Sequence, residues 1–152
     1  MDLKNLIAKD NRPRRWVEFK DGFELDLVFL PKVQLAALAR KATKLAFDPK
    51  THQRIEQVDD TALIRHFVTE CVKGWRGLTI GIVVTLAPVA GDLSKLNMKE
   101  EIPFSVDAAI ELMATAYDLE RYVRDTVTDI TVFQSVPTET ALGNFDSSQS
   151  GS

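Results

Sequence analysis

The chain has 152 residues, 45% of them apolar, and a formal charge of −3 from 19 basic and 22 acidic side chains. That length suits one domain with a real core, and so small an acidic excess gives no global attraction to nucleic acid or an anionic membrane. The lone Cys71 excludes an internal disulfide, and the longest uncharged stretch, 77–91, is broken by Gly81 and Pro88 and falls short of the roughly 20 apolar residues of a membrane span.

Residues 1–15 are polar, with no apolar segment of the kind a secretory signal needs. They read as a flexible leader, in which Arg12, Arg14 and Arg15 form a solvated basic cluster around Pro13. With the unpaired cysteine, this points to a reducing, cytoplasmic setting.

The single domain is expected over 16–135. It opens with a hairpin: Trp16–Phe19 and Phe23–Phe29 are aromatic and β-branched, and Asp21-Gly22 supplies the positive φ angles of a tight turn. Phe23, Leu25, Leu27 and Phe29 alternate with Glu24, Asp26 and Val28, which sends one face to the core. Glu18, Lys20, Glu24 and Asp26 then read as charges that discourage pairing at an open edge.

Pro31 suits a first helical turn, and Leu35, Leu38, Ala42 and Leu45 continue at helical spacing, so one helix is predicted to end only before Pro49. The polar stretch 48–60 reads as a loop, with room for an extended piece at Arg54–Val58. Asp59 or Asp60 can cap a helix whose inward rows are Leu63, Phe67, Cys71 and Ile64, Val68, Val72. Gly74 then stands where a glycine cap belongs, with Lys73 at the negative end of the dipole.

The segment 78–93 fits either alternation (Ile80, Ile82, Val84, Leu86) or a helical stripe (Ile82, Val83, Leu86, Ala90) capped by Thr79. After Pro103, Ser105 caps a helix with Val106, Ile110, Met113 and Tyr117 on one side, and Asp118 opens a last helix with Leu119, Val123, Val127 and Ile130 inward. The fold class expected is therefore α+β, mainly α: an N-terminal β-hairpin followed by a bundle of about four to five helices. Residues 136–152 read as a disordered tail, in which the isolated Leu142 and Phe145 could order on a partner.

Candidates for chemistry are few. His66 and Glu70 lie at i and i+4, an allowed but weak metal pair, and surface hydrogen bonding explains them better. Cys71 falls on an apolar row, so it reads as a buried, inert thiol. No Gly-rich phosphate loop and no base beside a nucleophile is evident. The expectation is no enzyme, no cofactor and no metal site.

The stretch "VKGWRGLT", 72–79, is the most pointed feature. Trp75 between Lys73 and Arg76 lacks the further aromatics and positive charge of a nucleic-acid stacking platform. The reading preferred is that Gly74 turns the chain, Trp75 packs back on the Phe67/Cys71 row, and Gly77 lets the backbone pass close by.

"VKGWRGLT", an apolar spacer, then "EEIPFSVDAAIELMATAYDLERYV" resembles the tail assembly chaperones of long-tailed bacteriophages, through Val72, Trp75, Gly77, Pro103, Phe104 and Ser105 in that order. The resemblance spans roughly residues 16–133. It implies a small, mainly helical, non-catalytic protein that binds the tape-measure protein while tube subunits assemble, and then leaves. It further implies, for some members, a frameshifted C-terminal extension that recruits tail tube protein; the 136–152 segment sits where one would begin. Trp75, Arg76, Phe104, Tyr117, Leu142 and Phe145 are the expected protein-binding residues, and a homo-oligomer is compatible with the role. The other classes to weigh are a minor tail or head–tail joining protein retained in the virion, and a small nucleic-acid-binding regulator.

Overall fold

The computed structural model describes residues 2–7 and 12–134. After a single turn, α1 (Leu3–Leu6), the expected hairpin forms from β1 (Arg14–Lys20) and β2 (Phe23–Val28). They pair antiparallel around Asp21 and Gly22, both at positive φ (50° and 83°), the geometry that lets a two-residue turn follow the strand twist. Phe23, Leu25 and Leu27 are fully buried on the inner face.

Helix α2 (Lys32–Lys41) follows, then a second hairpin, β3 (Thr43–Phe47) and β4 (Arg54–Val58). Helix α3 (Asp60–Cys71) is capped by Asp59, whose carboxylate accepts from the Ala62 amide and is held below the usual range first by that bond. It runs directly into β5 (Val72–Arg76). The rest is helical: α4 (Ile80–Leu86), a 3-10 turn at Leu93–Lys95, α5 (Val106–Thr115), capped by Ser105, and α6 (Tyr117–Val127).

The expectation of a mainly helical bundle behind one hairpin is overturned. Among the described residues there are five strands in two antiparallel sheets, one of order β1-β2-β5 and one formed by β3 and β4. Two local readings caused the error. The first helix ends at Lys41 rather than just before Pro49, because Leu45 belongs to β3, although it keeps the helical spacing. Gly74 is a strand residue opposite Asp26 instead of a helix cap, and Trp75 lies opposite Leu25. Consequently β2 is the central strand, and Glu24 and Asp26 do not guard an open edge.

Helices α3, α5 and α6 cover the inner face of the larger sheet, around a core of Phe23, Phe67, Leu119 and Val123. The outer face carries ion pairs: Arg14 with Asp26, and Arg76 with Glu24. The two ambiguous or loosely placed segments resolve as well. Residues 80–86 are a helix capped by Thr79, and 54–58 is a strand. In α5 the buried residues include Ile110 and Met113, while Val106 is exposed. Tyr117, expected on the same helix, instead begins α6 and is exposed; in α6 Leu119, Val123 and Val127 are buried, with Ile130 beyond it exposed.

The three arginines around Pro13 are not a solvated cluster. Arg12 donates to the Phe29 carbonyl at 2.9 Å and to the Glu70 carboxylate at 3.2 Å. Arg14 holds Asp26, and Arg15 donates to the Val132 carbonyl at 2.6 Å. No described helix is long and apolar enough to cross a membrane.

Candidate functional site

An apolar groove of about 270 Å³ opens between α4 and α5, and its construction starts at Trp75. β5 delivers the indole to the inner side of the sheet, where it is only 8% exposed. Its ring meets Phe23 edge-on at 6.0 Å and Phe104 edge-on at 5.1 Å. Its Nε1–H donates to the Ile102 carbonyl at 2.8 Å. That bond satisfies the one polar atom a buried indole brings with it.

The groove's floor is Trp75, Leu78 and Ile102. Two chain segments fix it by lying side by side: the Ile102 amide donates to the Leu78 carbonyl, and the Ile80 and Gly81 amides donate to Glu100 and Met98. Gly77 sets the entry angle. At φ +75°, a Cβ there would stand 2.2 Å from the Gly22 carbonyl oxygen of the hairpin turn, so only glycine fits. Gly77 therefore passes close to the β1–β2 turn, not beside the indole as the sequence suggested.

One wall is the C-terminal end of α4, with Val83, Ala87 and Pro88. The other is α5, which presents Ala108, Glu111, Leu112 and Thr115 at i, i+3, i+4 and i+7, one continuous helical stripe. Glu111 is the only charged side chain on the lining. A volume of this size lies below the roughly 300–1,000 Å³ of small-molecule and cofactor sites. It suits one or two large aliphatic or aromatic side chains from another chain.

The expected binding residues separate on the structure. Trp75 lines the groove and Phe104 supports it from behind. Arg76 faces the opposite side of the sheet, its guanidinium 4.1 Å from the centre of the Trp16 ring and paired with Glu24. Tyr117 is 68% exposed and lines a different, more polar hollow with Leu63, Ile64, Glu120 and Arg124. Leu142 and Phe145 lie outside the described residues.

The sequence reading missed Val83, Ala108 and Leu112. For Ala108 and Leu112 the signal was present in α5, whose apolar sector is wider than one packing face: Ala109, Ile110 and Met113 fill the core while Ala108 and Leu112 sit beside them.

Glu70 is engaged and Cys71 is enclosed. Glu70, which the sequence set four residues from His66, is taken by Arg12. Cys71 is fully buried, and burial pushes its thiol up to about 12, with the nearby Arg12 only partly opposing. Among the described residues no group of three or more His, Cys, Asp or Glu side chains converges in a metal-binding arrangement.

No family model matches the chain, and neither a curated protein nor a solved structure matches it.

Proposed function

We propose that this chain is a non-catalytic tail assembly chaperone of a long-tailed phage or prophage. It acts in the host cytoplasm and takes an apolar segment of the tape-measure protein into the groove between α4 and α5. The observation that carries this reading is an open groove with an apolar floor of Trp75, Leu78 and Ile102, between two helical walls whose one charged side chain is Glu111. A helix-in-groove mode needs such a surface, offers reversible affinity and requires no bond-making group. The ordered match of Val72, Trp75, Gly77, Pro103, Phe104 and Ser105 to the family's motifs supplies the client.

The decisive experiment is titration of tape-measure fragments into the full chain, followed by calorimetry, with Leu112→Glu as the probe. Leu112 is half-buried on the groove wall, so a carboxylate there must be desolvated by an apolar client, and the affinity should fall at least about ten-fold. Binding that Leu112→Glu leaves unchanged removes the groove from the mechanism. Absence of binding by the unaltered chain removes the client.

A second reading, a minor tail or head–tail joining protein retained in the particle, draws on one observation: β3 and β4 leave Leu45 and Phe47 exposed, as a permanent assembly subunit would. Mass spectrometry of purified virions separates the two, since a chaperone is absent from the finished tail.

A further inference from the structure

The β3–β4 hairpin carries apolar surface that nothing else in the described fold covers. Leu45 is 64% exposed and Phe47 is 68% exposed, on a two-stranded sheet to which no other described element adds a strand. An isolated pair of strands is marginal in water, and an open edge is a template for another strand.

The hydrogen-bond phase decides which residues offer that template. The Asp59 amide donates to the Ala42 carbonyl, and the Asp48 amide donates to the Gln53 carbonyl. The register pairs Lys44 with Gln57 and Ala46 with Ile55 between those two bonds. In an antiparallel ladder, alternate residues turn their N–H and C=O to the same neighbour. Lys44 and Ala46 are therefore bonded to β4, and Thr43, Leu45 and Phe47 turn theirs to the open edge.

We propose that this edge pairs with the same edge of a second copy, making a homodimer through a continuous four-stranded antiparallel sheet centred on Leu45. A two-fold axis at Leu45 sets Leu45 opposite Leu45, Thr43 opposite Phe47 and Lys44 opposite Ala46. Every outward N–H and C=O of the three residues then finds a partner, and no like charges meet. Phe47 of each copy lands diagonal to Leu45 of the other, on one face, within reach for aromatic–aliphatic packing.

The β4 edge offers less. Its outward residues are Arg54, Glu56 and Val58. Val58 is the one apolar side chain among them and is 42% exposed, against 64% and 68% for Leu45 and Phe47. More apolar area is therefore removed from water when a second copy covers β3.

One five-residue edge with two large apolar side chains is smaller than the roughly 1,200–2,000 Å² of a standard stable interface. The dimer is accordingly reversible, half-formed on the order of tens of micromolar.

Sedimentation equilibrium on the full chain tests this. The weight-average mass should rise from 17.0 kDa toward twice that value as concentration increases. Leu45→Pro deletes an outward N–H without touching the β3–β4 ladder, and should weaken association at least about ten-fold while leaving the circular dichroism intact. Leu45→Cys gives an independent readout, because the native Cys71 is buried. Paired Cα atoms at about 5.5 Å lie within disulfide range, so mild oxidation should link two copies in good yield. A chain that stays at 17.0 kDa throughout overturns the proposal, whether a client strand or nothing then takes the edge. A dimer that forms normally in Leu45→Pro, or that Leu45→Cys does not crosslink, overturns it too.

Discussion

Arg14 grips Asp26 with two nitrogens on two oxygens, Nε to Oδ1 at 2.9 Å and Nη2 to Oδ2 at 2.6 Å, across the outer face of the larger sheet. The arrangement is lopsided. The carboxylate side chain is 8% exposed at the centre of the sheet, whereas the guanidinium side chain is 58% exposed. Asp26 depends on the pair much more than Arg14 does, because the arginine can be hydrated without it.

That asymmetry predicts an order. Arg14→Met strands a buried carboxylate, while Asp26→Asn leaves a hydrated cation and retains an acceptor for it. Arg14→Met should lower the urea midpoint clearly more than Asp26→Asn. Equal or reversed midpoints would show that the bidentate pair contributes nothing beyond surface charge.

Two glycines at positive φ separate steric need from backbone preference. Gly22 sits at +83° with nothing within 4 Å of its absent Cβ; Gly77 sits at +75° with the Gly22 oxygen 2.2 Å from that position. Gly22→Ala should cost only about 1 kcal/mol, the backbone term alone. Gly77→Ala should cost about 2 kcal/mol or more, because the neck holding Trp75 and Leu78 against the hairpin turn must move. Chemical denaturation of both variants checks the difference, and equal costs would contradict the close approach.

The two elements misread from sequence share one cause. Leu45 extends the Leu35, Leu38, Ala42 spacing, and Val72 extends Ile64, Val68, so each strand is entered by a residue that also satisfies the helix before it. Partners distant in sequence decide the outcome: Val58 for Thr43, and Leu25 and Leu27 for β5. The β1–β2 hairpin was legible because its turn is written in two adjacent residues, Asp21 and Gly22. Three caps were legible for the same reason, as Asp59, Thr79 and Ser105 act within three residues, whereas Asp118 does not open α6, which starts at Tyr117 after Ala116. The groove was half legible: aromatic Trp75 and Phe104 stood out, whereas the walls are made of aliphatic residues such as Leu112 whose exposure depends on how α4 and α5 pack. Arg12, Arg14 and Arg15 looked solvated because their acceptors lie 12 to 117 residues away.

The two tryptophans report on opposite faces of the sheet. Trp75 is buried and hydrogen-bonded, while Trp16 is 38% exposed beneath Arg76. In Trp16→Phe the remaining emission should be blue-shifted and resistant to acrylamide; in Trp75→Phe it should be red-shifted and readily quenched. A client entering the groove should change the first signal and leave the second unchanged. Trp75→Phe should also cost about 1 kcal/mol or more, since the Ile102 carbonyl loses its donor.

Cys71 gives the fold an alkaline limit. The thiol titrates near 9.0 when free and is pushed up to about 12 by burial in the fold. Below the free value both states hold the proton, so the group contributes no pH dependence. Between the two values the unfolded chain has released the proton and the native chain has not. The unfolded state then binds fewer protons, and stability falls as pH rises, by up to about 1.4 kcal/mol per pH unit. Cys71→Ala removes this coupling and leaves the lysine and tyrosine titrations in place. Raising the pH from about 9 to about 10.5 should therefore cost the unaltered chain up to about 2 kcal/mol more than it costs Cys71→Ala. Urea denaturation at the two pH values measures the difference. Parallel losses would mean that the thiol ionises without leaving the core.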